Sequence, residues 1–142
     1  MSTLGNISNQ ICAYPYKLIW AAIPVILAFA FFGMNDSIDL ILHDTYLVIG
    51  IFHVGVSISF LLFLLGGIYW QLRNRNMTCW LTVLHVLITL FTLIPTMVLL
   101  MVCAKVPLIA DGWLMVLIVL FFIGIFSQFA LVWNIFQSRA NF

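Results

Sequence analysis

Charge is what this chain has least of. Only 6% of its 142 residues are charged, against 65% hydrophobic, and its mean hydropathy is +1.25. Soluble domains carry about 25% charged residues, so this shortage excludes a water-soluble globular fold and leaves an integral membrane protein. No acidic residue falls in the centre of a long apolar run, which argues against a carboxylate-lined proton or ion path. A net charge of +1 without a basic patch argues against a nucleic-acid partner. Neither a phosphate-binding glycine loop nor a nucleophile triad is present. The three cysteines, Cys12, Cys79 and Cys103, lack metal-site spacing and are expected to be free thiols.

What the chain does have is four apolar runs, at approximately 16–34, 46–70, 80–103 and 112–136. Each reaches the roughly 20 residues that a helix needs to cross a bilayer. Each must be helical, because an unpaired backbone group in lipid costs several kcal/mol. The expected fold is all-α: one transmembrane domain over 1–142, a bundle of four helices with antiparallel neighbours. Pro24 and Pro95 are expected to kink the first and third helices rather than end them. The first run has a polar lead, no basic cluster and no small-residue cleavage site, so it is expected to be retained rather than removed as a signal peptide.

The few charges are sorted by side. In a four-helix topology Lys17, Arg73, Arg75 and Arg139 share one side, and Asp36, Asp39, Asp44 and Asp111 share the other with Lys105. The positive-inside rule then places both termini and the Arg73 loop in the cytoplasm or the mitochondrial matrix. The loop of His43 and Asp44 faces outward. Asn6 and Asn76 each begin a glycosylation pattern but face inward in this topology, and are discounted.

His53 is the candidate of most interest, because an ionisable side chain within a membrane helix must find a partner. Helical spacing puts Tyr46, Gly50, Ser57 and Phe60 on its face. The small residues Gly50 and Ser57 would admit a porphyrin plane, or equally another helix. His85, with Thr82 and Thr89, is expected to pack across helices, at a depth too different from His53 to share one iron. Asp36, Asp39 or Asp44 is expected to cap the second helix or a turn before it. Lys105 is expected to be solvated, and Ser127, Gln128 and Asn134 to bind helices together or meet a partner subunit.

The run His43-Asp44-Thr45-Tyr46, leading on to Ile51-Phe52-His53, resembles subunit I of the haem-copper cytochrome oxidases. In that family the His-Asp-Thr-Tyr loop precedes a helix with a His-x-His pair, the first ligating the high-spin haem and the second the low-spin haem. Here Ile51 takes the first position and His53 the second. Ser57, Ser59, Gly66, Gly67, Tyr69 and Trp70 continue the family order, followed more loosely by His85, Thr89, Thr92 and Pro95, and by Trp113 to Trp133. Residues 17 to 137 are thus similar to the ninth to twelfth helices of subunit I.

The resemblance implies haem as the candidate cofactor, with His53 ligating iron and Gly50 and Ser57 beside it. It implies that His43 and Asp44 approach a magnesium ion or a haem propionate at the outer edge. The helices that carry the copper ligands have no counterpart here, nor does the arginine pair that holds haem propionates, so no copper and no oxygen reduction are expected. The leading expectation is a non-catalytic member of a respiratory or electron-transfer assembly, in a bacterial or mitochondrial inner membrane, working as a homo-oligomer or with other membrane subunits. A stand-alone b-type membrane cytochrome and a cofactor-free structural subunit are the alternatives. A fragment of a split oxidase is disfavoured by Ile51, which cannot ligate iron.

Overall fold

The computed structural model describes residues 11–42, 45–75 and 77–140, without the side chains of 40–42, 45–47, 107–112, 114, 139 and 140. Four long helices dominate it: α1 Pro15–Phe32, α2 Ile51–Gln71, α3 Cys79–Lys105 and α4 Pro107–Ala140. All four contain a stretch long and apolar enough to cross a membrane, in α4 the stretch Met115–Ser138. At 1.5 Å per residue even the 18-residue α1 extends about 27 Å, close to the hydrocarbon thickness. The fold is therefore the all-α bundle expected of an integral membrane protein. Pro15 opens α1, where its missing N–H removes no helical bond. Pro24 and Pro95 lie inside helices that run through them.

The boundaries differ most before α2. Instead of a helix beginning at Tyr46, strands β1 Ser37–Leu42 and β2 Thr45–Gly50 form an antiparallel hairpin that pairs Ser37 with Gly50 and Leu42 with Thr45. Thr45, Tyr46, Val48 and Ile49 are β-branched or aromatic residues that favour a pleated strand. Helix α2 starts only at Ile51, whose N–H donates to the Asp36 carbonyl at 3.1 Å. Its N-cap is Gly50, which brings no side-chain cap; of the three aspartates expected to cap this start or a turn before it, Asp36 contributes its backbone carbonyl and Asp44 lies outside the described residues. The Asp36 carboxylate instead lies 3.8 Å from the Lys105 ammonium, at the far end of α3. Lys105 is thus paired as well as solvated.

Helix α1 packs along α2 and also meets α3, while α4 packs along α3. Lipid tails are as apolar as leucine, so burial alone cannot draw these helices together; close backbone approach and polar contacts must. On α1, Ile19, Ala22, Ile26 and Ala30 recur at helical spacing and are buried. Gly55 on α2 receives Ala30, and a Cβ at 55 would overlap the alanine methyl and crowd Met97 at 3.1 Å. Gly66 receives the Trp20 indole in the same way, and that indole N–H donates to the Phe63 carbonyl at 3.4 Å.

Two cysteines depart from expectation. Cys12 and Cys79 form a disulfide, with Cα atoms 5.2 Å apart, tying the segment before α1 to the first residue of α3. The free-thiol reading rested on the compartment assigned to that side. The fold brings the pair within the 4.4–6.8 Å that such a bond requires. Cys103 is a buried free thiol, as expected.

Candidate functional site

His53 is the third residue of α2, and its side chain faces out of the bundle. The buried face of α2 runs through Ile51, Gly55, Ser59, Leu62 and Tyr69. His53 lies off that face, above the exposed Phe60, Leu61 and Leu64. With Ile49, Val54, Ser57, Ile58 and Leu61 it lines an open, largely apolar cleft of about 340 Å³.

Gly50 and Ser57 do flank the imidazole, although Gly50 does so from the end of β2 rather than from the helix. A Cβ at Gly50 would lie 3.0 Å from His53 Nδ1, close enough that the ring would have to shift by a few tenths of an ångström. The Ser57 hydroxyl donates to the His53 backbone carbonyl at 2.8 Å, which turns its polar atom back onto its own helix. The Phe52 ring meets the imidazole edge-on, 5.9 Å between centroids. Tyr46, expected on this helical face, belongs to β2. His43 and Asp44 lie outside the described residues.

The imidazole is accessible and the wall beneath it is apolar. The other described histidine, His85, has both ring nitrogens engaged elsewhere in the bundle. Among the described residues no three His, Cys, Asp or Glu side chains converge as a metal site.

His85 is completely buried between α2, α3 and α4. Its Nδ1 is 2.9 Å from the Tyr69 hydroxyl, and its Nε2 lies 3.2 Å from Gln128 Oε1 and 3.4 Å from Thr89 Oγ1. If Nε2 carries the proton, it donates to Gln128 and Nδ1 accepts from Tyr69; this single tautomer satisfies both contacts. Its expected packing role therefore fits its place.

The contact extends into a seam of polar groups along α3 and α4. Thr89 Oγ1 lies 3.3 Å from Ser127 Oγ, which donates to the Gly124 carbonyl at 2.7 Å. Nearer the start of α3, Asn134 is wholly buried. Its Oδ1 accepts from the Thr78 amide at 2.8 Å, and its Nδ2 donates to Thr82 Oγ1 at 2.9 Å and to the Thr78 carbonyl at 3.2 Å. Asn134 thus completes a helix start that no side chain of α3 caps.

Sequence reasoning named Ser127, Gln128 and Asn134 as helix-binding residues but missed Tyr69 as the partner of His85. The signal was present: Thr78, Thr82, His85, Thr89, Thr92 and Thr96 recur at alternating steps of four and three, a single polar stripe on α3. The opposite face of α4 is apolar and open, with Phe121, Phe126, Phe129 and Phe136 each more than 60% exposed. That face suits lipid contact.

Comparison of the chain with models of protein families, with curated proteins and with solved structures returns no match.

Proposed function

We propose that this chain is a non-catalytic membrane subunit of a respiratory or electron-transfer assembly, similar to oxidase subunit I, in which His53 supplies one axial ligand to a haem at an interface with another chain. The observation that carries this reading is the position of His53. It stands at the bundle surface over Gly50, beside an apolar cleft, and its side chain makes no hydrogen bond with any described residue. An imidazole buried for packing alone would look like His85, with both nitrogens engaged. The His-Asp-Thr-Tyr segment just before it supports the same reading.

The charge asymmetry favours an orientation with both termini and the arginine turn toward the cytoplasm or matrix and His53 in the outer half of the membrane; the Cys12–Cys79 bond at the arginine end weighs against it, because thiols in a reducing compartment stay unpaired. The haem supplies one-electron chemistry when bound. His53 would hold the iron, and Ile49, Val54, Ile58 and Leu61 would supply the apolar wall beside it. A two-fold axis along the membrane normal would bring two copies of His53 to equal depth and provide both axial ligands. Purification in mild detergent, followed by a haem-to-protein ratio, tests the arrangement. About one low-spin haem per two chains is expected; protein free of haem despite ample supply contradicts it.

A second reading, a cofactor-free structural subunit, draws on the polar seam. The bundle satisfies its buried polar side chains without a cofactor, the hydroxyl of Ser59 excepted among the described residues. Its distinguishing result is colourless protein whose assembly survives His53→Ala.

A further inference from the structure

At the end of the bundle away from the hairpin, a small polar pocket opens between the segment before α1, the end of α2 and the start of α3. It measures about 60 Å³, several times the room that one water needs. Cys12, Tyr69, Arg73, Arg75 and Thr82 are among its lining residues. We propose that this pocket binds a phosphate group, delivered by the headgroup of an anionic bilayer lipid.

The deeper lining offers little to a ligand. The Thr82 hydroxyl donates to the Thr78 carbonyl and accepts from Asn134, and the Tyr69 hydroxyl is shared with His85. The donors that remain are the two guanidinium groups. Their planar forks match phosphate oxygens in pairs, which an ammonium does not. No acidic residue opposes them among the described residues at this end: Asp36 and Asp39 belong to the hairpin end.

The pocket is also built rather than incidental. The turn after α2 is closed by backbone bonds, from the Arg75 amide to the Leu72 carbonyl at 2.9 Å and from the Met77 amide to the Arg75 carbonyl at 2.9 Å. The Arg73 guanidinium stacks at 5.1 Å over the exposed Trp70 ring, which stands outside the pocket lining. The Cys12–Cys79 disulfide fixes the opposite wall. A pocket where membrane helices end lies at headgroup depth, and basic pockets between such helices select anionic headgroups.

The source of the phosphate, lipid or free ion, is decided by experiment. The whole chain is taken from mixed bilayers of phosphatidylglycerol and phosphatidylcholine, and bound lipid is counted by native mass spectrometry. One phosphatidylglycerol per chain is expected to be retained in preference to phosphatidylcholine. Retention should fall about five-fold for each arginine removed in R73Q and in R73Q/R75Q. R73K/R75K should recover only part of it, because charge returns without the fork. K17Q removes a cation from the same end but outside the pocket, where Lys17 stacks on Tyr14 at 4.2 Å, and should leave retention unchanged. Thermal midpoints equal to that of the unsubstituted chain establish that each variant is folded.

Inorganic phosphate is then added at millimolar concentration. Persistence of the lipid supports the headgroup as the source. Displacement by phosphate alone keeps the arginine site but overturns the lipid as its source. Undiminished retention in R73Q/R75Q, equal loss in K17Q, or no binding of either probe overturns the site. None of these readouts involves His53 or haem, so this site stands or falls separately from the proposed function.

Discussion

The Tyr69 hydroxyl and His85 Nδ1 stand 2.9 Å apart, joining the last turn of α2 to α3. Tyr69 is 1% exposed and His85 fully buried, so neither group can exchange this partner for water. Tyr69→Phe should therefore lower the thermal midpoint, at a cost of about 0.6–2 kcal/mol. His85→Ala removes the partner of Tyr69, Gln128 and Thr89 together and opens a cavity, so it should cost more, about 2–4 kcal/mol. Thermal unfolding in one detergent compares the two. Equal stability of the unsubstituted chain and His85→Ala would show that the seam does not hold the bundle.

Adjacent glycines should behave oppositely. A Cβ at Gly66 would overlap the Trp20 indole, whereas a Cβ at Gly67 meets nothing within 4 Å. Gly66→Ala is expected to destabilise by about 1–3 kcal/mol, the usual cost of overpacking. Gly67→Ala should be neutral or slightly stabilising, since alanine is the better helix former. The same unfolding assay reads both, and similar midpoints would contradict the α1–α2 packing.

The disulfide predicts a thiol count. Denatured, unreduced protein should react with maleimide at one cysteine, Cys103, and at all three after reduction. Reduction or Cys79→Ser should lower the thermal midpoint, by less than the 2–4 kcal/mol typical of soluble domains, because the released helices stay inserted in the detergent or bilayer. Three reactive thiols before reduction would rule the bond out.

Asn134 should matter more than its single polar side chain suggests. Asn134→Leu leaves the Thr78 amide without an acceptor and the Thr82 hydroxyl without its donor. An expected cost of about 1–3 kcal/mol should come with faster hydrogen exchange at the start of α3. Unchanged exchange there would contradict its capping role.

The four spans were legible in the sequence because their physical cause is local. A run with almost no charge has one stable conformation in lipid. The hairpin was not legible by that means: Thr45 to Gly50 is as apolar as the helix after it, so hydropathy merges the two. The β-branched residues at 45, 48 and 49 carried the correction. Gly50 and Ser57 could be placed beside His53 by spacing alone, but the outward direction of His53 depends on which face α1 covers. The disulfide depends on a fold that brings Cys12 to Cys79 across 67 residues, and no local pattern contains that. The polar stripe of α3 was visible, while its partner Tyr69 required the packed helices.

The measurement that bears most directly on the proposed function is the reduced-minus-oxidised visible spectrum of the purified chain, compared with those of His53→Ala and Tyr69→Phe. The account predicts a low-spin haem spectrum in the unsubstituted chain and in Tyr69→Phe, and its loss in a still-folded His53→Ala. Full absorbance in His53→Ala, or no haem in any of the three after expression with ample haem, would contradict it.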